Sequence, residues 1–375
     1  MSTPCSPSLY QVFAVAAVGL ETLVANEIRS IAGVPTTVIP GGVAFEVSLA
    51  TLFQLNRTSR LATRFLVRVG SFRARALGEL KRKVVSLDWR PFLEPNRSIS
   101  VVAACHKSRI YHSGAAQQRV AEALAELGNT GPVGTESAEP QKIYLRIFHD
   151  ECTMSVDSTG DRLHLRGYRQ NGGTAPIRET LAAAVLSLSD WDKSQILLDP
   201  MCGSGTFVIE AASVIANRDS GELRDFAMMR WPAWTGIHIV TDRCEQPILY
   251  PERPQCFGYD ADAAMITKSV KNAENAAVSG WCQFSVGNIR DLYPPDGSGL
   301  IVCNPPYGWR LGSAADAAHT YTTLGCTLAQ RFGGWSYAIL APNAELFRLT
   351  RLRSSQIIQL HNGGRRIILA KGRIG

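Results

Sequence analysis

Between residues 12 and 31 the chain changes its hydrophobic period. Val12 to Val18 is nearly continuous in apolar character and predicts a buried strand. Leu20, Leu23, Val24, Ile28 and Ile31 then return every three or four positions, with Glu27 among them, and predict a helix with one apolar stripe. A strand over 43–47 follows the Pro40-Gly41-Gly42 turn, and a second helix is expected over 49–64. Ser100 to Ala104 predicts a strand, Gly114 to Leu127 a helix, and 128–140 an exposed loop rich in Gly, Thr, Pro and Glu. Ile143 to Phe148 and Cys152 to Ser158 predict a hairpin. The front of the chain is thus expected to be a small α+β module.

From residue 195 onward the pattern changes to short strand-like runs separated by helices, opening with an apolar run typical of a buried parallel strand. The runs are Ile196–Leu198, 255–260, 282–286, the stretch into Cys303, and 335–340. Helices are expected over 206–216 and 262–278. The last strands, 356–360 and 365–371, flank His361-Asn362-Gly363-Gly364, a hairpin turn signal.

The chemistry sits where these runs end. Ile196–Leu198 leads into Asp199-Pro200-Met201-Cys202-Gly203-Ser204-Gly205-Thr206, and a helix follows. Strand, glycine turn and helix form a nucleotide cradle: glycines admit a ligand close to the backbone, and the first helical N–H groups favour an anion. A dinucleotide site would require a third glycine at 208, where Val208 stands. The next strand ends in Asp260, a ribose-binding carboxylate by position. It lies 260 − 205 = 55 residues past the glycine turn, and residues 217–255, rich in Trp, Pro and Arg, read as an insertion of 39. The following strand ends at Asn288, with Asp291 nearby. Ile301-Val302-Cys303 runs into Asn304-Pro305-Pro306-Tyr307. Asn304 and the Pro305 carbonyl are acceptors for an exocyclic amino group, and Tyr307 is a plate on which a base can stack. Cys202 is expected to pack, not to react.

Charge is uneven. Residues 1–150 carry 17 Lys+Arg against 11 Asp+Glu, and residues 57–119 alone carry 14 against 3. Arg57, Arg60, Arg64 and Arg68 recur at helical spacing and predict one basic stripe, while Lys107, Arg109 and Tyr111 mix cations with an aromatic ring. Such a module is expected to bind nucleic acid. A length of 375 residues predicts two domains or slightly more. There is no apolar run of 18 residues, and Val12–Val18 is too short for a signal peptide, so no membrane partner is expected. Nine cysteines without a Cys-x-x-Cys pair suggest a reducing cytosol and no metal site.

The Asp199–Thr206 string resembles motif I of methyltransferases that modify amino groups, and Asn304–Tyr307 resembles their catalytic signature. Gly19–Leu23, Gly41–Phe45, Cys105–Gly114, Leu163–Arg169 and Ala175–Ala183 extend the likeness over nearly the whole chain. The chain resembles the THUMP-domain-containing RNA guanine-N2 methyltransferases, especially the bacterial enzymes acting on large-subunit ribosomal RNA. The resemblance implies an α/β architecture: a Rossmann-like class I methyltransferase with a mostly parallel seven-stranded sheet, behind an α+β ferredoxin-like and THUMP RNA-binding module. Boundaries are expected at 1–55, 56–160 and 161–375. It implies S-adenosylmethionine as cofactor, held by Arg178, Thr180, the Asp199–Thr206 loop, Asp260, Ala261, Asn288, Ile289 and Asn304. Asn288 departs from the usual Asp, and Trp309 stands where an acid is common. Ribosomal RNA is the expected partner, with transfer RNA next. Adenine-N6 methylation and a non-catalytic assembly role are the other readings.

Overall fold

The structure, a computed structural model, describes residues 8–128, 139–169, 177–237, 251–308 and 313–375. The expected loop at 128–140 and Trp309 fall largely or wholly outside them. The chain divides into two compact units. The first comprises Met1–Ala16, Val24–Leu163 and Asp225–Thr241; the second comprises Ala17–Leu23, His164–Arg224 and Asp242–Gly375.

The first unit is built on one seven-stranded sheet, to which both expected front segments, 1–55 and 56–160, contribute. Its elements are β1 (Tyr10–Val15), α1 (Glu21–Ala32), β2 (Thr37–Ile39), β3 (Gly42–Val47), α2 (Leu49–Thr58), β4 (Arg64–Arg73), α3 (Leu77–Val85), β5 (Ile99–His106), α4 (Ser113–Glu126), β6 (Gln141–Phe148) and β7 (Glu151–Asp157), in the sheet order β2-β3-β1-β4-β7-β6-β5. Alternate residues of the strands are fully buried, among them Val12, Val43, Phe65, Ile143, Leu145 and Met154. They share the core with Ile28, Leu52, Leu80 and Val120 from the four helices, so the helices cover that side of the sheet. Residues 225–241, from within the expected insertion, complete this unit. Trp234 stacks on Phe53 at 5.1 Å, Trp231 meets Phe92 edge-on at 5.0 Å, and the Trp231 indole donates to Gln141 Oε1 at 2.9 Å.

The expected helix over 49–64 is corrected. Ser48 caps α2, accepting from the Thr51 N–H, and the helix stops at Thr58. Ser59 closes it with extended backbone, and Arg64 begins β4. The basic stripe therefore does not exist. Arg57 lies in the last turn of α2 and Arg60 in the turn beyond; both are half-buried. Arg64 is buried on the sheet, ion-paired to the fully buried Asp157, and its guanidinium lies 5.3 Å from the Tyr144 ring centre. It is a structural group and not a surface ligand for RNA.

The second unit is a doubly wound α/β sheet. Its elements are α5 (Glu179–Leu188), β8 (Ile196–Asp199), α6 (Thr206–Ile215), β9 (Cys256–Asp260), α7 (Ala263–Asn275), β10 (Cys282–Val286), β11 (Gly299–Cys303), α8 (Ala314–Arg331), β12 (Ser336–Ala341), α9 (Ala344–Arg348), β13 (Gln356–Asn362) and β14 (Arg365–Arg373). The order is β10-β9-β8-β11-β12-β14-β13; β14 alone runs antiparallel, pairing with both β12 and β13. Gly363 and Gly364 both have positive φ, as the tight hairpin turn requires. Tyr321, Leu324 and Leu328 of α8 pack with Ile301, Tyr337 and Ile339 of β11 and β12 to fill the core on one flank.

Candidate active site

In a doubly wound sheet, a ligand crevice opens beyond the strand ends where the order reverses. Here the chain runs outward from β8 to β9 and β10, then returns to the other side of β8 as β11. Leu198 pairs with Ile301, so the loops after Asp199 and Cys303 leave from neighbouring strand ends. Asp199–Thr206 and Asn304–Tyr307 are thereby brought together at the switch point.

The glycine loop is held from several sides. Gly205 is the N-cap of α6, with φ +84°, and a Cβ there would meet the Phe284 ring at 3.0 Å. Gly203 has φ +52°, and a Cβ there would meet nothing within 4 Å, so this side of the loop is open to a ligand. The Gly203 N–H donates to Asp260 Oδ2 at 2.9 Å, while Asp260 Oδ1 accepts from the Asp262 N–H at 2.9 Å. Ser269 Oγ donates to the Gly203 carbonyl and Asn272 Nδ2 to that of Ser204. Cys202 is buried behind the loop, its N–H donating to the Tyr259 carbonyl at 2.8 Å. Burial, with Asp199 and Asp260 nearby, pushes its thiol up, which suits packing and not nucleophilic attack. Pro200 is buried, Met201 is half-buried and Ala261 is exposed.

Asp199 is buried and accepts from the Met201 N–H at 3.1 Å. Burial, reinforced by the Asp260 charge, pushes its carboxyl from 3.8 up to about 8. The folded ligand-free chain therefore holds a proton that the unfolded chain releases near 3.8. This contribution to stability is complete below that value and is lost as pH rises through about 8. Asp199→Asn is expected to remove that slope, leaving the variant with the higher melting temperature at pH 9 in scans without cofactor. A wild-type melting temperature that does not fall between pH 5 and 9 relative to the variant would contradict this.

The resemblance implies that Arg178 and Thr180 help to hold the cofactor. Arg178 is exposed as the N-cap of α5 and Thr180 is half-buried; among the described residues neither hydrogen-bonds to the glycine loop. Arg169 does so instead. It donates through Nη1 to Ser204 Oγ at 3.0 Å and through Nη2 to Thr206 Oγ1, and its Nε pairs with Glu179 at 2.6 Å. Beside it, Arg166 and Glu210 form a buried bidentate pair at 3.1 and 3.3 Å. Asn288 Oδ1 accepts from the Arg290 N–H at 3.0 Å and caps the short turn Ile289–Asp291, so one acceptor position is already engaged.

Asn304 follows β11 directly and is half-buried; Pro305 is buried and Pro306 exposed. The Tyr307 hydroxyl donates to Asn304 Oδ1 at 2.6 Å, and Asn362 of β13 hydrogen-bonds to the Tyr307 side chain. Burial holds the phenol well above its usual value. Tyr307 thus orients the carboxamide as well as offering a ring, a link that residue types alone did not reveal.

A parallel sheet with a glycine loop after β8, a carboxylate after β9 and a terminal antiparallel hairpin is the class I methyltransferase architecture, and S-adenosylmethionine is its cofactor. Gly203, Ser204, Thr206, Asp260 and Asn288 stand at or just beyond the ends of the neighbouring strands β8, β9 and β10. Residues 166–371 match the family model described as RMKL-like, methyltransferase domain, and the chain belongs to this family. Residues 11–66 match the RlmL ferredoxin-like domain and 74–157 the THUMP domain. The ribosomal RNA large subunit methyltransferase K/L of Syntrophotalea carbinolica is 33% identical across 94% of this chain, which spans 52% of that relative's length. The crystal structure of SMU.472 complexed with SAH superposes with a TM-score of 0.86 at 29% identity, covering 98% of each chain. A Listeria monocytogenes structure described as a predicted N6-adenine-specific DNA methylase gives 0.84 at 29% identity, covering 98% of this chain and 97% of that one.

Proposed function

We propose that this protein transfers a methyl group from S-adenosylmethionine to the exocyclic N2 amino group of a guanosine in large-subunit ribosomal RNA. The observation that carries the reading is the Asn304 carboxamide, oriented by Tyr307 at the strand end beside the glycine loop. The RNA assignment rests on the THUMP domain and on the K/L relatives.

The cofactor supplies an activated methyl group, so the protein's task is to position the acceptor nitrogen and stabilise the charge that develops on it. A guanine amino nitrogen is a weak nucleophile because its lone pair is delocalised into the ring. Asn304 Oδ1 has one lone pair engaged by Tyr307 and a second for an amino hydrogen; the Pro305 carbonyl is the acceptor for the other. Both dipoles favour a pyramidal nitrogen with its lone pair directed outward. Neither proline carries an N–H that could compete for these acceptors. The Tyr307 ring bears on the flat face of the base. A base within a helix cannot reach such a crevice, so the target is unpaired or flipped out. Asp260 takes the ribose hydroxyls on the lone pairs that Gly203 and Asp262 leave.

The test is to incubate the protein with methyl-labelled cofactor and, separately, unmodified large-subunit ribosomal RNA, transfer RNA and DNA, then identify the labelled nucleoside. N2-methylguanosine from ribosomal RNA is expected. Label in transfer RNA alone would move the substrate. N6-methyladenine, the chemistry named for the Listeria structure, would overturn the choice of base.

A further inference from the structure

The helices cover one side of the first unit's sheet, and the other side carries a second pattern. Down the strands, the residues opposite in phase to the core include Phe13, Arg68, Arg73, Arg146, Phe148 and His106. They are not scattered. The Arg68 guanidinium stands 5.0 Å from the centre of the Phe13 ring, and that of Arg146 stands 5.1 Å from Phe148. Phe148 and His106, register partners on β6 and β5, stack with parallel rings 5.9 Å apart. The bulge between Arg68 and Gly70 restores the alternation, so Ser71 and Arg73 return to this face. Small residues separate the large ones: Arg68 is paired with Ser155, and Arg146 is flanked by Thr153 and Ala104. The result is a set of flat groups with shallow gaps between them, on strands about 4.8 Å apart.

The charges here lack internal balance. Among the described residues, neither Arg68 nor Arg146 lies within salt-bridge distance of a carboxylate. Burial, and the Arg146 charge close by, hold the Arg68 guanidinium below its ordinary value. Carboxylates at the rim do not relieve this: Glu46 on β3 takes a bond from Gln11, and Glu151 is exposed at the end of β7. Two cations held near each other, one partly desolvated, fit an anionic ligand.

The face also continues into the loop whose cations and aromatic ring stand out in the sequence. Ser108 Oγ donates to the His106 carbonyl at 2.8 Å and accepts from the Asp150 N–H at 3.0 Å. Asp150 in turn accepts from the Arg109 N–H at 2.8 Å. These bonds hold Lys107 at φ +47° and leave Lys107, Arg109 and Tyr111 exposed, Tyr111 at 82%.

We propose that this helix-free sheet face, from Phe13 and Arg68 across Arg146 to Phe148 and His106, is a stacking platform for an unpaired stretch of RNA. It rests on RNA being the substrate. Bases would lie on the ring and guanidinium planes, and phosphates would meet the arginine N–H groups. A duplex hides its base faces and offers only phosphates, so the platform should distinguish the two forms.

The test uses the full chain and fluorescence anisotropy with a labelled unstructured RNA and a labelled RNA duplex. Arg68→Gln with Arg146→Gln should weaken single-strand binding about tenfold at low salt and reduce the log–log salt slope by about 0.7 for each phosphate that an arginine no longer neutralises. Phe148→Ala with His106→Ala should weaken single-strand binding about fivefold or more, leaving the salt slope and duplex binding unchanged. Ultraviolet cross-linking of the unaltered chain, which needs no substitution, should yield RNA-bearing peptides containing 144–148 or 102–109. Wild-type single-strand affinity in both variants, or cross-links confined to other peptides, overturns the proposal. Equal loss of duplex binding in the aromatic variant overturns it too. The outcome is separable from the methylation reading. A chain that binds single strands here but methylates no RNA keeps the platform and loses that reading. A chain that forms N2-methylguanosine while both variants bind normally does the reverse.

Discussion

Asn304→Ala lowers the methyl-transfer rate at saturating cofactor and RNA by about a hundredfold or more, the scale for losing an oriented polar group that acts in the transition state. Cofactor affinity should be nearly unchanged, because the glycine loop and Asp260 are braced by other bonds. Tyr307→Phe separates the two duties of its neighbour. The ring remains while the hydroxyl that donates to Asn304 Oδ1 is gone, so the rate should fall by less than in the Asn304 variant. Single-turnover measurements on the three proteins decide it. Near-normal turnover by Asn304→Ala removes Asn304 from the chemistry.

Asp260→Ala has the second large effect. The substitution removes a ribose acceptor and also the anchor of the Gly203 and Asp262 N–H groups. Cofactor binding should weaken by about 1.5–3 kcal/mol, the range for hydrogen bonds to a charged group, which is roughly ten- to more than a hundredfold in Kd. Calorimetry on both proteins measures this directly. Equal affinities would assign the ribose to another acid such as Asp262, whose carboxylate caps α7 through the Ala264 N–H. An independent sign is available in the ligand-free chain. Without the Asp260 charge, the Asp199 carboxyl should titrate lower, so the loss of stability on raising the pH should be smaller and should be complete at a lower pH than in the unaltered chain.

The parts of the site that the sequence revealed are those whose chemistry is local. Gly203 and Gly205 take positive φ after β8, Asp260 ends β9 and the prolines follow β11, so residue types at strand ends were enough to place them, once the insertion before Asp260 was set aside. The hairpin turn at Gly363-Gly364 is of the same kind. Arg64 and Arg68 misled because a spacing of four fits one side of a helix and one side of a strand equally well. The alternating Phe65, Val67 and Val69 favoured the strand, and no glycine or proline marked the end of α2. The Arg169 bridge was hidden for another reason: its partners lie 10, 35 and 37 residues away and meet only through the fold. A clue existed only for the neighbouring Arg166, in its partner Glu210, a lone acid within the apolar run Phe207–Ala212. An acid at such a position implies a buried cationic partner.

Neither compact unit is a continuous stretch of chain, and this sets an order of events during synthesis. Trp231 and Trp234, which close the aromatic cluster around Phe53 and Phe92, are encoded after the glycine loop and α6. While residues 1–163 emerge from the ribosome, Phe53, Phe92 and the Gln141 amide wait without these partners. The N-terminal unit therefore cannot finish folding until residues 225–241 have emerged, after part of the second unit is already made, unlike domains built from one segment. A nascent or truncated chain ending before residue 225 presents this unfilled aromatic surface to chaperones and to other copies of itself.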